Sequence, residues 1–247
     1  MKTLLIDIET FPLSGYAWGT RDVYISLNQV ITPPGVLSFA AEWYENPHNK
    51  VFYSLWKDGK EDMAKAAWDL IQEADAVITY NGDRFDLQWF NTLWMETGLD
   101  KERGFPTTPA SIDLYKTVRS KLRLFSNKLE HVTNWLGIKS KIQTGGFELW
   151  LGCMSGDEKS HRKMERYNRN DVTIMRGVYE RLRPLMTAHP NLNVINGTDD
   201  LCPVCGSSNR TLAGTRPTLT RRYQRYRCTD CNRHYSDNRP LDTTGTR

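Results

Sequence analysis

No apolar run in the sequence approaches the ~18 residues that a helix needs to cross a bilayer, which argues against a membrane-spanning chain. Cysteine is scarce, with five in 247 residues. Four of the five fall in two Cys-x-x-Cys pairs, and without an export signal that arrangement favours a metal site over disulfides. The start, MKTLLIDIET, resembles a signal peptide at first. Asp7 and Glu9 then cut its apolar stretch short, and no small-residue cleavage site follows. The expected location is therefore intracellular, a reducing cytoplasm. Lysine is missing from Cys202 to Arg247, where nine Arg stand against three Asp, a balance of +6. The first 201 residues carry 24 Lys and Arg against 26 acids, or −2, so the basic character sits in the tail. A polyanionic partner or a merely solvated basic tail would both explain it.

The composition, 39% hydrophobic and 25% charged, is that of a folded globular chain. TLLIDIETF (3–11), GVLSFAAEWY (35–44) and KVFYSLW (50–56) read as strands, the last two separated by the turn-rich ENPHN. Together they predict an antiparallel meander. Residues 61–75 predict a helix with Met63, Ala66, Ala67, Leu70, Ile71 and Ala74 on one face. A short strand follows over 76–82. The next helix, FDLQWFNTLWMETG, ends at Gly98 as its cap. ASIDLYKTV predicts a strand leading into a helix, with Asp113 as cap. NKLEHVTNWLG offers Asn127 and Glu130 as a capping box and Gly137 as a stop. Residues 141–157 read as loop. A long helix spans about Lys159 to Arg183, where Pro184 opposes continuation. This order predicts an α/β domain with a mixed sheet over residues 1–188, a polar linker over 189–200 and a small module over 201–247.

The acids define the chemistry. Alternation along a strand points Asp7 and Glu9 to one side with Leu5, and Leu4, Ile6 and Ile8 to the other. Such a pair alone fits a solvated sheet face. Asn81, Phe85 and Asp86 stand where a strand ends and a helix begins, and Asp86 could simply cap that helix. Asp83 fits turn chemistry. In the long helix, Met164, Tyr167, Asp171, Ile174 or Met175, Val178 and Leu182 share a face, so Asp171 interrupts an apolar stripe. A carboxylate there is usually paired or metal-bound. A core ion pair with an Arg would explain Asp171, but not why three segments each contribute acids.

IDIET, YNGDRFDLQWF and YNRND resemble the three motifs of the DEDD superfamily of 3′–5′ exonucleases. The likeness is nearest to the proofreading domain of family B DNA polymerases, and it spans roughly residues 1–187. It implies an RNase H-like fold, a mixed central sheet flanked by helices. Tyr167, four before Asp171, corresponds to the tyrosine branch; the histidine branch would want His at position 166, which is Arg. The resemblance implies two Mg²⁺ or Mn²⁺ ions, with Asp7 bridging both, Glu9 and Asp171 holding the first and Asp86 serving the second. It further implies that Tyr167 orients the attacking water. Asn81 and Phe85 would position the second motif or the terminal nucleotide, with packing an equal alternative for Phe85. Four carboxylates roughly balance two divalent cations, which is why the chemistry wants them.

Cys202, Cys205, Cys228 and Cys231 form Cys-x2-Cys, 22 residues, Cys-x2-Cys, spacing suited to tetrahedral thiolate coordination of one structural Zn²⁺. The module resembles a zinc ribbon. Between the pairs, Arg221, Arg222, Tyr223, Arg225, Tyr226 and Arg227 interleave cations with aromatics, as single-strand binding surfaces do. A protein-docking ribbon is the alternative. Cys153 is expected to be a packed or idle free thiol, His234 a surface or packing residue, and Trp150 either core or contact.

The function expected from these residues is exonucleolytic hydrolysis at DNA 3′ ends, in single strands, releasing 5′-monophosphates. The alternatives are an exoribonuclease, an endonuclease on the same fold, or a catalytically silent fold that binds nucleic acid or protein.

Overall fold

The computed structural model describes residues 1–242 apart from 22, 108, 139–141 and 143. The first strand is β1 (Thr3–Phe11), whose Leu4, Leu5 and Ile6 are wholly buried. A short hairpin follows, β2 (Ser14–Gly15) with β3 (Val30–Thr32). Then come β4 (Gly35–Trp43), β5 (Asn46–Ser54), α1 (Gly59–Glu73), β6 (Ala76–Thr79), α2 (Asp86–Thr97), α3 (Leu99–Arg103), β7 (Ala110–Asp113) and α4 (Leu114–Lys121). After them come α5 (Leu129–Trp135), α6 (Glu148–Met154), α7 (Glu158–Leu182) and α8 (Leu192–Asn196).

Five strands form one sheet in the order β5-β4-β1-β6-β7. β4 pairs antiparallel with both β1 and β5, which is the expected meander, while β1, β6 and β7 run parallel. β1 is central and needs apolar residues on both faces. Leu4, Ile6 and Ile8 pack with α1 and α2 against Phe39, Met63 and Phe90. Leu5 faces the opposite layer, where Ile78, Ile112, Val172 and Val178 pack with α4, α5 and α7. The sheet is thus flanked by helices on both sides, as expected. No helix among the described residues is long and apolar enough to cross a membrane.

Three local expectations are corrected. β5 begins at Asn46, so the turn is shorter than ENPHN and Pro47 lies in a strand. β5 is an edge strand, where proline's missing donor costs no ladder bond. The N-cap of α5 is Lys128, with no side-chain cap bond, so the Asn127–Glu130 capping box is not formed. The Asn127 carbonyl instead accepts from the Tyr80 hydroxyl at 2.5 Å. Part of the stretch read as loop over 141–157 is α6; within that stretch, positions 141 and 143 lie outside the described residues. Four glycines around it mask an apolar pair, Leu149 and Cys153, that buries one face against Met164 and Tyr167. Gly98 ends α2 at φ +72°, and Gly137 follows α5 at φ +69°, both in the left-handed region expected of such stops.

The C-terminal segment forms a three-stranded sheet in the order β10-β9-β8, from β8 (Arg210–Pro217), β9 (Arg222–Cys228) and β10 (His234–Asp242). The stretch 189–200 carries α8, capped by the Asn191 side chain, and it is tied to the C-terminal segment. Leu192 N donates to the Pro203 carbonyl at 2.8 Å, and Asn193 Nδ2 to the Leu201 carbonyl at 2.8 Å.

Candidate active site and metal centres

Asp7 and Glu9 project from β1 beyond its last pairing with β6, at the carboxyl ends of the parallel strands. Open α/β sheets place ligand crevices at those ends. The register of β1 against β4 shifts between Glu9 and Thr10, a bulge next to the two acids. Such irregularities often re-aim side chains beside functional sites.

Asp171 reaches the same place from α7. The face predicted for that helix is buried as a unit: Met164, Tyr167, Asp171, Ile174, Met175, Val178 and Leu182 all lie inside. One carboxylate oxygen each from Asp7, Glu9 and Asp171 lie within 4.8 Å of one another. Two oxygens bound to one hard cation at about 2.0–2.5 Å can be at most about 5 Å apart, so this spacing fits a shared divalent ion. Tyr167 sits one turn before Asp171 and meets the Trp150 ring edge-on at 6.3 Å, which makes Trp150 part of the wall behind the site.

A core ion pair of carboxylate and guanidinium is found at Glu42. That carboxylate is wholly buried opposite Leu5, with Arg176 Nε at 2.6 Å and Lys50 Nζ at 3.3 Å.

Asp86 is the fourth acid of the motif and stands apart from the three. It opens α2, and its Oδ1 accepts from the Ile8 amide at 3.1 Å, so it grips β1 between Asp7 and Glu9. It is buried at 4% exposure, and that burial raises its carboxyl to about 7. A nearby cation would favour the ionised form. The turn before it is tightly built. Asn81 adopts φ +69°, its amide donating to Asp113 Oδ1 at 2.9 Å. A Cβ on Gly82 would lie 2.4 Å from Thr79 Cβ. Asp113 also caps α4 through the Tyr115 amide, as expected. Phe85 is 42% exposed beside Trp89, and Asp83 pairs with Lys116. An open cleft of about 630 Å³ adjoins this turn, lined by Tyr80, Asn81, Arg84, Tyr115, Asn127 and Lys128.

Asn168 is a residue that the sequence reading missed. It is wholly buried, and its Nδ2 donates to the Asp7 carbonyl at 3.1 Å and to Asp7 Oδ2 at 2.9 Å. Its Oδ1 accepts from Ser38 Oγ at 3.4 Å. The available signal was its place one residue after Tyr167 on a helix whose buried face was already recognised.

The four cysteines converge as expected. Cys202 and Cys231 Sγ lie 3.7 Å apart, and Cys205 and Cys228 Sγ 3.5 Å. Thiolates on one tetrahedral zinc at about 2.3 Å would be about 3.8 Å apart, so the donor set fits that ion. Burial pushes the Cys231 thiol up to about 11, and metal binding would have to displace its proton. Cys153, also buried and raised to about 11 by that burial, is a packed thiol. In the Arg/Tyr stretch, Tyr226 packs against Tyr235 at 5.7 Å and under Arg210 at 4.2 Å. Arg227 Nη2 donates to Asn232 Oδ1 at 2.8 Å.

A family model described as the RNase H superfamily matches residues 27–183, more than half of the chain. The chain belongs to the RNase H superfamily. The match starts after β1, so Asp7 and Glu9 are joined to this RNase H-like fold by the sheet pairing itself. No curated protein matches the sequence. Among solved structures, the family B DNA polymerase of the hyperthermophilic archaeon Pyrobaculum calidifontis is similar, with a TM-score of 0.55 and 18% identity. The likeness covers 74% of this chain and 24% of the polymerase chain, and at that identity it shows a shared fold.

Proposed function

We propose that this RNase H-like chain is a 3′–5′ exonuclease that hydrolyses single-stranded DNA to 5′-monophosphates with two Mg²⁺ or Mn²⁺ ions. The observation that carries this reading is the meeting of Asp7 and Glu9 from β1 with Asp171 from α7, beside Tyr167 on the same helical face. When bound, the ions would polarise the phosphodiester and ease deprotonation of the attacking water.

The protein's own groups supply position. Asp7, Glu9 and Asp171 would hold the ions, with Asp86 as a further carboxylate for them. Asn168 holds the Asp7 carboxylate in one orientation. The Tyr167 hydroxyl would orient the water, and Asn81 and Phe85 would seat the terminal nucleotide. DNA is preferred because the fold likeness is to a DNA polymerase. We further assign residues 1–188 to the nuclease, 189–200 to a connecting segment and 201–247 to a zinc ribbon. One Zn²⁺ on the four cysteines would hold the ribbon, and Arg221, Arg222, Tyr223, Arg225, Tyr226 and Arg227 belong to a nucleic-acid-binding strand region.

Products and polarity test the reading. Single-stranded DNA labelled at its 5′ end should shorten progressively from the 3′ end and release nucleoside 5′-monophosphates. Cutting of closed circles would replace the exonuclease by an endonuclease. Faster degradation of RNA would change the substrate class.

A further inference from the structure

The C-terminal sheet and the nuclease body enclose a cleft of about 830 Å³. This lies toward the upper end of the roughly 300–1,000 Å³ that ligand clefts occupy. One wall is Met186 and Thr187, just after α7; the other carries Arg216, Tyr223, Arg225 and Arg233. Three Arg face one acid, Asp237, and two further lining residues are His189 and His234. Many arginines elsewhere are tied to carboxylates, as Arg176 is to Glu42 and Arg103 to Asp69. Among the described residues, Arg216 and Arg225 have no carboxylate within salt-bridge distance. Arg233 docks the ribbon by donating from Nη1 to the Pro184 carbonyl at 2.6 Å, while its Nε is buried without a hydrogen-bond partner.

Met186 and Thr187 also border a second groove of about 200 Å³. It runs past Lys116, Thr117, Ser120 and Lys121 to Asp83 and Asp113. Lys116 is taken up by Asp83; Lys121 has no carboxylate partner among the described residues. Asp113 is the side chain that holds the Asn81 amide, so the groove ends behind the turn that leads to Asp86. Unpaired guanidinium groups beside a tyrosine ring, in a cleft between two folded units, match the chemistry of a single-stranded polynucleotide. Guanidinium binds phosphate, and the ring stacks on any base.

We infer that the cleft between ribbon and nuclease body holds the upstream part of a single-stranded polynucleotide whose 3′ end lies at the acidic cluster. This rests on the proposed nuclease function and adds a substrate path to it. Arg216, Tyr223 and Arg225 are the positions that make the path. Tyr226 and Arg227 are engaged within the ribbon and contribute less.

Binding in EDTA separates the path from catalysis. Fluorescence anisotropy of the full chain with labelled single-stranded DNA, single-stranded RNA and duplex DNA would be measured across a salt series. Zinc content and melting temperature of each variant are checked first, and Arg225→Gln replaces any charge reversal that fails to fold. Arg216→Glu with Arg225→Glu should weaken single-strand binding about tenfold or more. It should also flatten the salt slope by about 1.4, at roughly 0.7 per lost phosphate contact. Tyr223→Ala should weaken binding roughly tenfold through lost stacking. Arg181→Glu, a single charge reversal on an exposed part of α7 outside the cleft, should leave affinity near wild type, whereas Arg225→Glu alone should weaken it. Equal loss from Arg181→Glu, no loss from the cleft variants, or loss confined to duplex would each overturn the path. So would a cleft that captures a protein while single-strand binding is unaffected. Cleft-dependent binding by a wild-type protein that cuts no nucleic acid would reject the nuclease reading and leave the cleft standing.

Discussion

Asn168 holds Asp7 through its carboxylate and its carbonyl, and it is itself held by Ser38. Residues that orient a metal ligand typically cost about 10–100-fold in metal affinity or activity when removed. Asn168→Ala should therefore weaken Mn²⁺ binding by that order in calorimetry while the protein stays folded; unchanged affinity would deny it the role. Asp86 gives a pH signature. Burial raises its carboxyl from 3.8 to about 7, so folding takes up a proton there. Its contribution to metal-free stability is then full below the unfolded value and is lost as pH rises through about 7. Thermal melts in EDTA should fall across that interval, and Asp86→Asn should flatten this part of the profile. Asp7 and Glu9 were legible because a strand's two-residue alternation puts them on one side. The Asn168 and Ile8 partnerships were not, since both depend on where α7 and α2 dock against β1.

At the level of elements, α7 was read almost to its ends. Its stripe repeats over 25 residues, and Asp157 caps it by accepting from the Lys159 and Ser160 amides. By contrast, α6 has seven residues among glycines, and its burial depends on Met164 and Tyr167 of another element. A short helix carries too little periodicity to declare itself. β5 was placed late because Pro47 reads as a turn residue unless the strand is known to lie at an edge. The bond between α7 and the sheet is testable through the buried Arg176–Glu42 pair. Arg176→Ala also strips the Trp43 and Tyr44 carbonyls of their donor. Breaking one side of such a pair costs about 3–5 kcal/mol, measurable by urea unfolding. Replacing both residues by Met should cost much less; an equal loss would show that the packing of Arg176, not the charge, is what matters.

For the whole molecule, the five-stranded sheet packs its own apolar cores, and the three-stranded C-terminal sheet lies with a separate cluster around the cysteines. What remained hidden was the fit between them. The stretch read as a linker carries α8, and Arg233 reaches back to Pro184, contacts that no local pattern announces. The cysteine module has a small apolar cluster built around its own thiols, so metal should supply its stability. Cys228→Ser should abolish bound zinc and expose the C-terminal segment to protease, while the larger body, with its own cores, stays resistant. A C-terminal segment that remained protected without metal would contradict this.

The central claim is that Asp7, Glu9 and Asp171 form one divalent-ion site that cuts nucleic acid. Its most direct test is the Mn²⁺-dependent rate of single-stranded DNA cleavage by wild type and by Asp171→Asn, a change that keeps the shape of a buried side chain while removing its charge. The account predicts cleavage by wild type, abolished by EDTA, and a loss of about 10³-fold or more in the variant, of the size seen when a central catalytic group is removed. A folded Asp171→Asn protein that cleaves at the wild-type rate would contradict it.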